Sequence, residues 1–85
     1  MELRFTKSFD EEYRKITKGN TQLKKRVKKQ LQFLQTYAQH PSLRLHKLAS
    51  SNYWSITIDK SIRVLLIIEK QWIYVYHIGK HEDVY

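Results

Sequence analysis

The spacing of the apolar residues changes at Pro41, the only proline in the chain, and this change constrains the fold more than any other feature. Between residues 9 and 38 apolar side chains recur every three or four positions, as in helices that bury one face. Beyond residue 52 they alternate with polar side chains or form short runs, which is typical of strands. Because proline cannot continue a helix, position 41 separates the two patterns. The sequence therefore predicts the α+β class.

Two amphipathic helices are predicted before Pro41. The first runs to about Lys18, and Ser8 followed by Glu11 fits a capping box at its start. Thr21 is the expected cap of the second helix. A link of two or three residues between them predicts an antiparallel hairpin with both apolar stripes on a sheet. The stripe of the second helix comprises Leu23, Val27, Leu31, Leu34 and Ala38.

Four strands are predicted to form the sheet. Alternation at Leu3 and Phe5 indicates a short first strand, and three more follow over residues 53–59, 62–68 and 72–78. The short polar breaks between the last three favour antiparallel hairpins, with the apolar run of residues 62–68 in the centre. We therefore expect a β-α-α-β-β-β order, in which an antiparallel sheet packs against a two-helix hairpin. We expect these elements to form a single domain that spans residues 1–85.

Charge and composition narrow the classes of partner. The 16 Lys and Arg against 8 Asp and Glu give a formal charge of +8, which favours a polyanion or an acidic protein as partner. The absence of cysteine excludes disulfides and thiolate metal sites. The longest apolar run, residues 64–68, is too short to span a bilayer, and the first residues do not resemble a signal peptide. We expect a cytoplasmic protein without membrane contact.

Arg63 interrupts an otherwise apolar strand, and a guanidinium there is costly unless it faces a cleft or a partner. It is a candidate phosphate-binding residue. An ion pair with Asp59 or Glu69 across the sheet explains the same position equally well. The sequence leaves both interpretations open.

Polar and aromatic residues are concentrated at 77–85, directly after the last predicted strand. Imidazole, ammonium and phenol groups there could carry out acid–base chemistry, and a frayed polar tail is the alternative. His77 and His81 have a spacing that suits a metal on a helix, but Gly79 between them disfavours a helix, so no metal site is predicted. Patterns for nucleotide hydrolysis and acyl transfer are absent from the sequence.

The second predicted helix carries five cations within residues 24–29. Most such runs are solvated helix faces, yet this density can also attract RNA phosphates through counterion release. We favour long-range attraction of RNA over a role in catalysis. The candidate RNA-binding residues of this run are Lys24, Lys25 and Lys28.

The order of elements and three segments resemble the RelE/ParE toxin superfamily, and especially its RelE and YafQ groups. The segments are Trp-Ser-Ile at 54–56, Ile-Arg-Val-Leu at 62–65, and Ile-Gly-Lys-His-Glu-Asp-Val-Tyr at 78–85. The resemblance implies a RelE-like fold and the toxin of a type II toxin–antitoxin pair. It further implies a ribosome-dependent endoribonuclease that cleaves mRNA by attack of a ribose 2′-hydroxyl, without metal or cofactor, while contacting ribosomal RNA.

The resemblance also implies roles for individual residues. Arg63 matches a central-strand arginine that meets the scissile phosphate, so it would stabilise charge. His81 matches a position that is histidine in the YafQ group and arginine in the RelE group, which implies a general acid or base. Tyr85 matches a C-terminal aromatic residue that stacks on a base or supplies its hydroxyl. His46 and Lys47, before the second predicted sheet strand, would bind phosphate or share proton transfer.

The chain departs from the RelE pattern where that group carries lysines on the second strand. This chain instead has Tyr53, Ser55 and Thr57 there. The identity of the proton acceptor is therefore open, and His46 is a candidate. Tyr53 and Ser55 are expected to contact RNA. Docking on the ribosome would depend on the basic run of the second helix and on Lys80.

Two other functions fit the same sequence. A ParE-like toxin would bind DNA gyrase without cleaving RNA, but the histidine-rich ending disfavours it. A non-catalytic RNA-binding module would need only the basic helix and exposed aromatic residues. For either kind of toxin we expect an acidic antitoxin that covers the basic surface.

Overall fold

Five strands and two helices make up the protein in a computed structural model that describes residues 1–81. The elements are β1 (Glu2–Phe5), α1 (Lys7–Thr17), α2 (Thr21–Thr36), β2 (His46–Lys47), β3 (Trp54–Thr57), β4 (Ile62–Ile68) and β5 (Trp72–Lys80). A short 3-10 helix, Pro41–Leu43, follows α2 at the position predicted to end it. The α+β class and the helix pair preceding the main strands are thus confirmed. Tyr85 lies outside the described residues.

The N-terminal cap of α1 ties this helix to the sheet. The hydroxyl of Thr6 accepts a hydrogen bond from the Phe9 N–H at 3.1 Å and donates one to the Tyr76 carbonyl at 2.8 Å. The predicted cap, Ser8, lies inside the first turn instead. Ser8 and Glu11 have the spacing of a capping box. The helix nevertheless begins earlier, because Thr6, which is hydrogen-bonded to β5, caps it.

A left-handed glycine separates the two helices. Gly19 has φ +68°, a conformation that glycine adopts without the steric penalty of a side chain. The chain then turns at Asn20, whose side chain accepts from the Leu23 N–H at 3.0 Å and caps α2. The predicted cap, Thr21, is therefore the first residue of the helix.

The sheet has the strand order β1-β5-β4-β3-β2 and is mixed rather than wholly antiparallel. β3, β4 and β5 form the predicted antiparallel hairpins with β4 in the centre. β1 pairs parallel to β5, from which two helices and three strands separate it along the chain, so no tight hairpin forces an antiparallel pair. β2, which was not predicted as a strand, pairs with β3 and is too short to show periodicity.

One face of the sheet packs against the helices and forms the core. On this face a row of neighbouring side chains from β3, β4 and β5 is buried with Val27 and Leu34 of α2. The row consists of Ile56, Val64 and Ile78. Because side chains alternate along a strand, the neighbouring rows point to the opposite side, which we call the open face. These rows contain His46, Ser55, Leu65 and His77, and then Thr57, Arg63 and Gly79.

A β-bulge changes the alternation in β5. Leu65 pairs with His77 but Leu66 pairs with Val75, so Tyr76 is an extra residue without its own partner on β4. With the extra residue, both Val75 and Ile78 stay in the core. Tyr76 and His77 consequently both lie on the open face.

Candidate functional site

Arg63 is held on the open face of the central strand. A guanidinium N–H donates a hydrogen bond to the hydroxyl of Thr57, its register partner on β3. Its Nε is buried and has no hydrogen-bond partner among residues 1–81. A buried donor of this kind is costly unless a bound group satisfies it. Arg63 also lines the clefts described below, which makes it a candidate anion-binding residue.

The alternative ion pairs of Arg63 do not form. The Asp59 carboxylate instead accepts hydrogen bonds from the backbone N–H groups of Ser61 and Ile62, both at 2.9 Å, and so closes the turn between β3 and β4. Within residues 1–81, neither Asp59 nor Glu69 lies within ion-pair distance of Arg63. The positive charge is thus not neutralised by the carboxylates suggested from the sequence.

Arg63 and His81 line the same cleft, of about 300 Å³, together with Lys60, Ser61 and Lys80. The pairing of β4 with β5 accounts for this arrangement, since Arg63 lies opposite Gly79 and the His81 N–H donates to the Ser61 carbonyl at 2.8 Å. Gly79 places no side chain beside the guanidinium. The hairpin therefore brings together two residues that are 18 positions apart in the sequence.

A second cleft, of about 760 Å³, adjoins the first and shares Lys60 and Arg63 with it. Arg26 of α2 lies on its wall and donates from Nε to the Ile58 carbonyl at 2.8 Å. Arg44 and the Asp59 carboxylate also line it. We call the two clefts together the Arg63 cleft. Five cations line it, against one carboxylate: Arg26, Arg44, Lys60, Arg63 and Lys80.

The other candidates on the strands lie farther away. His46 belongs to the open face but lies on β2, two strands from β4, or about 10 Å at the usual strand spacing. Its Nδ1 is 2.9 Å from the Arg44 carbonyl oxygen. Lys47 is exposed beside it. Ser55 is completely buried, whereas Tyr53 is partly exposed next to His77.

The lysines of the basic run lie on another surface. Lys24, Lys25 and Lys28 line a groove of about 660 Å³ between α1, α2 and β1. Its floor is apolar and includes Leu3 and Phe9 among its residues. Arg26 of the same run lines the Arg63 cleft, whereas these three lysines do not.

Sequence reasoning missed the contact between His77 and Glu12. The Glu12 carboxylate lies 3.2 Å from the His77 Nδ1 and accepts a hydrogen bond from the Ile78 N–H at 3.3 Å. The only signal in the sequence was a glutamate on the polar side of the first helix, which could not identify a partner 65 residues later. Arg26 was missed in the same way, because its place at the cleft depends on how α2 crosses the sheet, and Lys60 was read only as part of the polar turn between β3 and β4.

Within residues 1–81 no group of three or more His, Asp or Glu side chains is arranged to hold a metal ion. His77 and His81 lie on and after a strand rather than on one helical face. No helix in that part of the chain is long and apolar enough to cross a membrane.

Comparison with solved structures identifies the fold. The chain is similar to YafQ from E. coli strain BL21(DE3), with a TM-score of 0.82 and 11% identity over 99% of this chain and 97% of that one. It is similar to YafQ in the E. coli DinJ-YafQ toxin-antitoxin complex, with a TM-score of 0.82 and 11% identity over 99% and 96%. The YoeB/ParE toxin from Agrobacterium tumefaciens gives 0.80 and 15% over 95% and 99%. The predicted RelE-like fold is confirmed.

No protein-family model matches the chain. No curated protein matches it either. At identities this low, agreement in structure shows a shared fold and does not transfer an activity.

Proposed function

Because the chain has the fold of RelE/ParE-type toxins, we propose that it is the toxin of a type II toxin–antitoxin system and that it cleaves mRNA on the ribosome. The observation that carries this proposal is the Arg63 cleft, where Arg63, Lys80 and His81 line one small space. An anion-binding group beside an imidazole is the combination that phosphodiester cleavage requires. The protein would act in the cytoplasm, where ribosomes translate mRNA.

The reaction needs no group beyond the RNA and the protein side chains. The ribose 2′-oxygen forms a bond to the adjacent phosphorus, and the bond from phosphorus to the 5′-oxygen of the next nucleotide breaks. One proton leaves the 2′-hydroxyl and another is delivered to the 5′-oxygen. The products are a 2′,3′-cyclic phosphate end and a 5′-hydroxyl end. The protein must therefore supply a base, an acid and a cation for the anionic phosphorane.

Arg63 supplies the cation in this proposal. Its guanidinium can donate two parallel hydrogen bonds to phosphate oxygens, and Thr57 fixes its orientation. Lys60 and Lys80 add positive charge around the same space. Such donors gain strength as charge develops on the phosphorane.

His81 supplies the acid or the base, since it is the imidazole on the wall of the cleft. His46 is the candidate for the other proton transfer, but RNA would have to span the roughly 10 Å between β2 and β4. Tyr85 stays a proposed base-stacking or proton-donating residue, outside the described part of the chain. Lys47 and Tyr53 would contact the flanking RNA.

The proposed partner is an acidic antitoxin, and the similar protein YafQ occurs in a toxin-antitoxin complex with DinJ. The groove between the helices offers an apolar floor with Lys24, Lys25 and Lys28 around it. An amphipathic acidic segment could bury apolar side chains there and place carboxylates near the lysines. The +8 charge of the chain supports an acidic partner.

Induced expression of the wild type and of Arg63→Ala and His81→Ala at equal protein levels tests the function. The proposal predicts growth arrest with new mRNA ends within codons for the wild type, and loss of both effects in the two variants. Lys70→Ala, which changes an exposed residue outside the cleft, should behave as the wild type. Growth arrest without new RNA ends would indicate a gyrase-directed toxin, and RNA binding without either effect would indicate a non-catalytic module.

A further inference from the structure

Four aromatic side chains form a continuous strip on the open face. Trp72, Tyr74 and Tyr76 occupy alternate positions of β5, and Tyr53 joins them from beside β3. Ring centroids are 6.4 Å apart between Trp72 and Tyr74, 6.2 Å between Tyr74 and Tyr76, and 5.8 Å between Tyr76 and Tyr53. All four side chains are partly exposed, while Ile73 and Val75 between them are buried in the core.

Strand formation alone does not explain this strip. Aromatic residues are common in strands, and a β-branched or small polar residue would serve equally on an exposed face. Here Trp72, Tyr74 and Tyr76 follow one another along β5 with interplanar angles of 74° and 56°, and the helices pack on the opposite face except where Glu12 of α1 contacts His77 beside the Tyr76 end. Partly exposed aromatic rings in a row are a surface for ligands with flat faces.

Positive charge lies at both ends of the strip. At one end the Arg4 guanidinium lies over one face of the Trp72 ring, 3.9 Å from its centre, and 4.0 Å from the Glu2 carboxylate, so the other face of the ring is left for a base. At the other end the bulge places Tyr76 next to His77, and β5 continues to Gly79, which is opposite Arg63. The line from Trp72 to Gly79 is about 23 Å long at about 3.3 Å per residue, enough for a few nucleotides.

We propose that this strip is a stacking track for single-stranded RNA that leads the strand into the Arg63 cleft. Residues two apart on a strand are spaced by about 6.6 Å, close to the separation of neighbouring nucleotides in an extended strand. Bases stack on the rings without sequence preference, and the cations at the two ends bind phosphates. The inference rests on the proposed function for its direction, because the track would deliver RNA to the cleavage site.

RNA suits the strip better than an acidic protein does. Tyrosine and tryptophan are also enriched in protein interfaces, so the rings alone do not distinguish RNA from a protein, and the position of the strip beside the cleft does. The strip leads along β5 to Gly79, which lies opposite Arg63, so rings that can stack on bases are followed by a cation that can bind phosphate in the cleft proposed to cleave RNA. Sheet-face aromatic residues are a general means of binding unpaired bases.

Binding of a short, labelled 2′-O-methyl RNA to the purified protein tests the track, since this RNA cannot react through its 2′-oxygen. Tyr74→Leu and Trp72→Leu should each weaken binding about 5- to 100-fold, because one base loses its stacking partner. Tyr74→Phe keeps the ring and should bind within about twofold of the wild type. Tyr37→Leu, at an exposed tyrosine after α2, should leave the affinity unchanged.

Thermal unfolding of each variant separates lost binding from lost structure. Unchanged RNA affinity in folded Tyr74→Leu and Trp72→Leu would overturn the proposal. If these two variants instead lost only the affinity for an acidic partner protein, the strip would be a protein interface and the proposal would also be wrong. Stacking-dependent binding by a wild type that cleaves no RNA would support the track and contradict the proposed function, so the two can fail separately.

Discussion

At the scale of single residues, the structure places Arg63 of β4 on the open face, where it is hydrogen-bonded to Thr57. The sequence could identify Arg63 as unusual but could not choose between an ion pair and an anion site. The structure argues against the ion pair, because the Asp59 carboxylate accepts hydrogen bonds from backbone N–H groups of the adjacent turn. Contacts such as Glu12 with His77 lie beyond sequence reasoning, because they depend on the path of a helix across the sheet.

Gln30 is a residue whose role only the structure shows. Its side chain is completely buried in α2, and its amide N–H groups donate to the carbonyls of Thr57 at 2.9 Å and Ser42 at 3.3 Å. We expect Gln30→Leu to lower the free energy of unfolding by about 1–3 kcal/mol, because both carbonyls lose a partner. Urea unfolding measures this change.

The exposed Gln32 on the same helix is the matched control. Gln32→Leu should change the free energy of unfolding by no more than about 0.5 kcal/mol. Equal losses in the two variants would show that the hydrogen bonds of Gln30 do not hold α2 to the sheet.

At the scale of the elements, periodicity predicted both helices and the three long strands to within a few residues. It failed at β2, which has two residues, and at the parallel pairing of β1 with β5, since two helices and three strands separate these two along the chain. It also failed at the bulge in β5, where strict alternation would have placed His77 in the core. Side-chain caps set the helix starts, and only the structure shows which hydroxyl has a partner on the sheet.

Thr6 joins two elements and is open to a direct test. Thr6→Ala removes both the cap of α1 and the bond to the Tyr76 carbonyl, so the free energy of unfolding should fall by about 1–2 kcal/mol. Chemical unfolding measures the free energy of unfolding of Thr6→Ala and of Thr6→Ser, which keeps the hydroxyl. Thr36→Ala, which removes an exposed hydroxyl bonded to Gln32 within α2, should have little effect. A Thr6→Ala protein as stable as the wild type would mean that this cap does not anchor the helix.

At the scale of the whole molecule, the positive charge is divided between two sides. The Arg63 cleft carries cations from the sheet, from the loops beside it and from Arg26 of α2, while Lys24, Lys25 and Lys28 line a separate apolar groove between α1, α2 and β1. The net charge of the sequence predicted an anionic partner but not this division. The arrangement suits two ligands, RNA on one side and an acidic protein on the other.

Charge reversal in the groove distinguishes the two sides. A triple variant with Lys24, Lys25 and Lys28 changed to Glu should weaken antitoxin binding about 10- to 100-fold, since each exposed pair contributes about 0.5–1 kcal/mol. Binding to the antitoxin is measured by calorimetry. The matched control changes Lys15, Lys18 and Lys70 to Glu, which alters the net charge equally outside the groove. Equal weakening in both triple variants would show that overall charge, and not the groove, attracts the antitoxin.

The most direct test of the proposed chemistry is the structure of the RNA ends formed in a translation reaction assembled from purified ribosomes, one mRNA and this protein. The account predicts cleavage within codons, with 2′,3′-cyclic phosphate and 5′-hydroxyl ends, and loss of cleavage when the reacting nucleotide is 2′-deoxy or when Arg63 is changed to Ala. Cleavage that leaves 5′-phosphate ends, or that persists in the 2′-deoxy substrate, would contradict attack by the ribose hydroxyl at the Arg63 cleft.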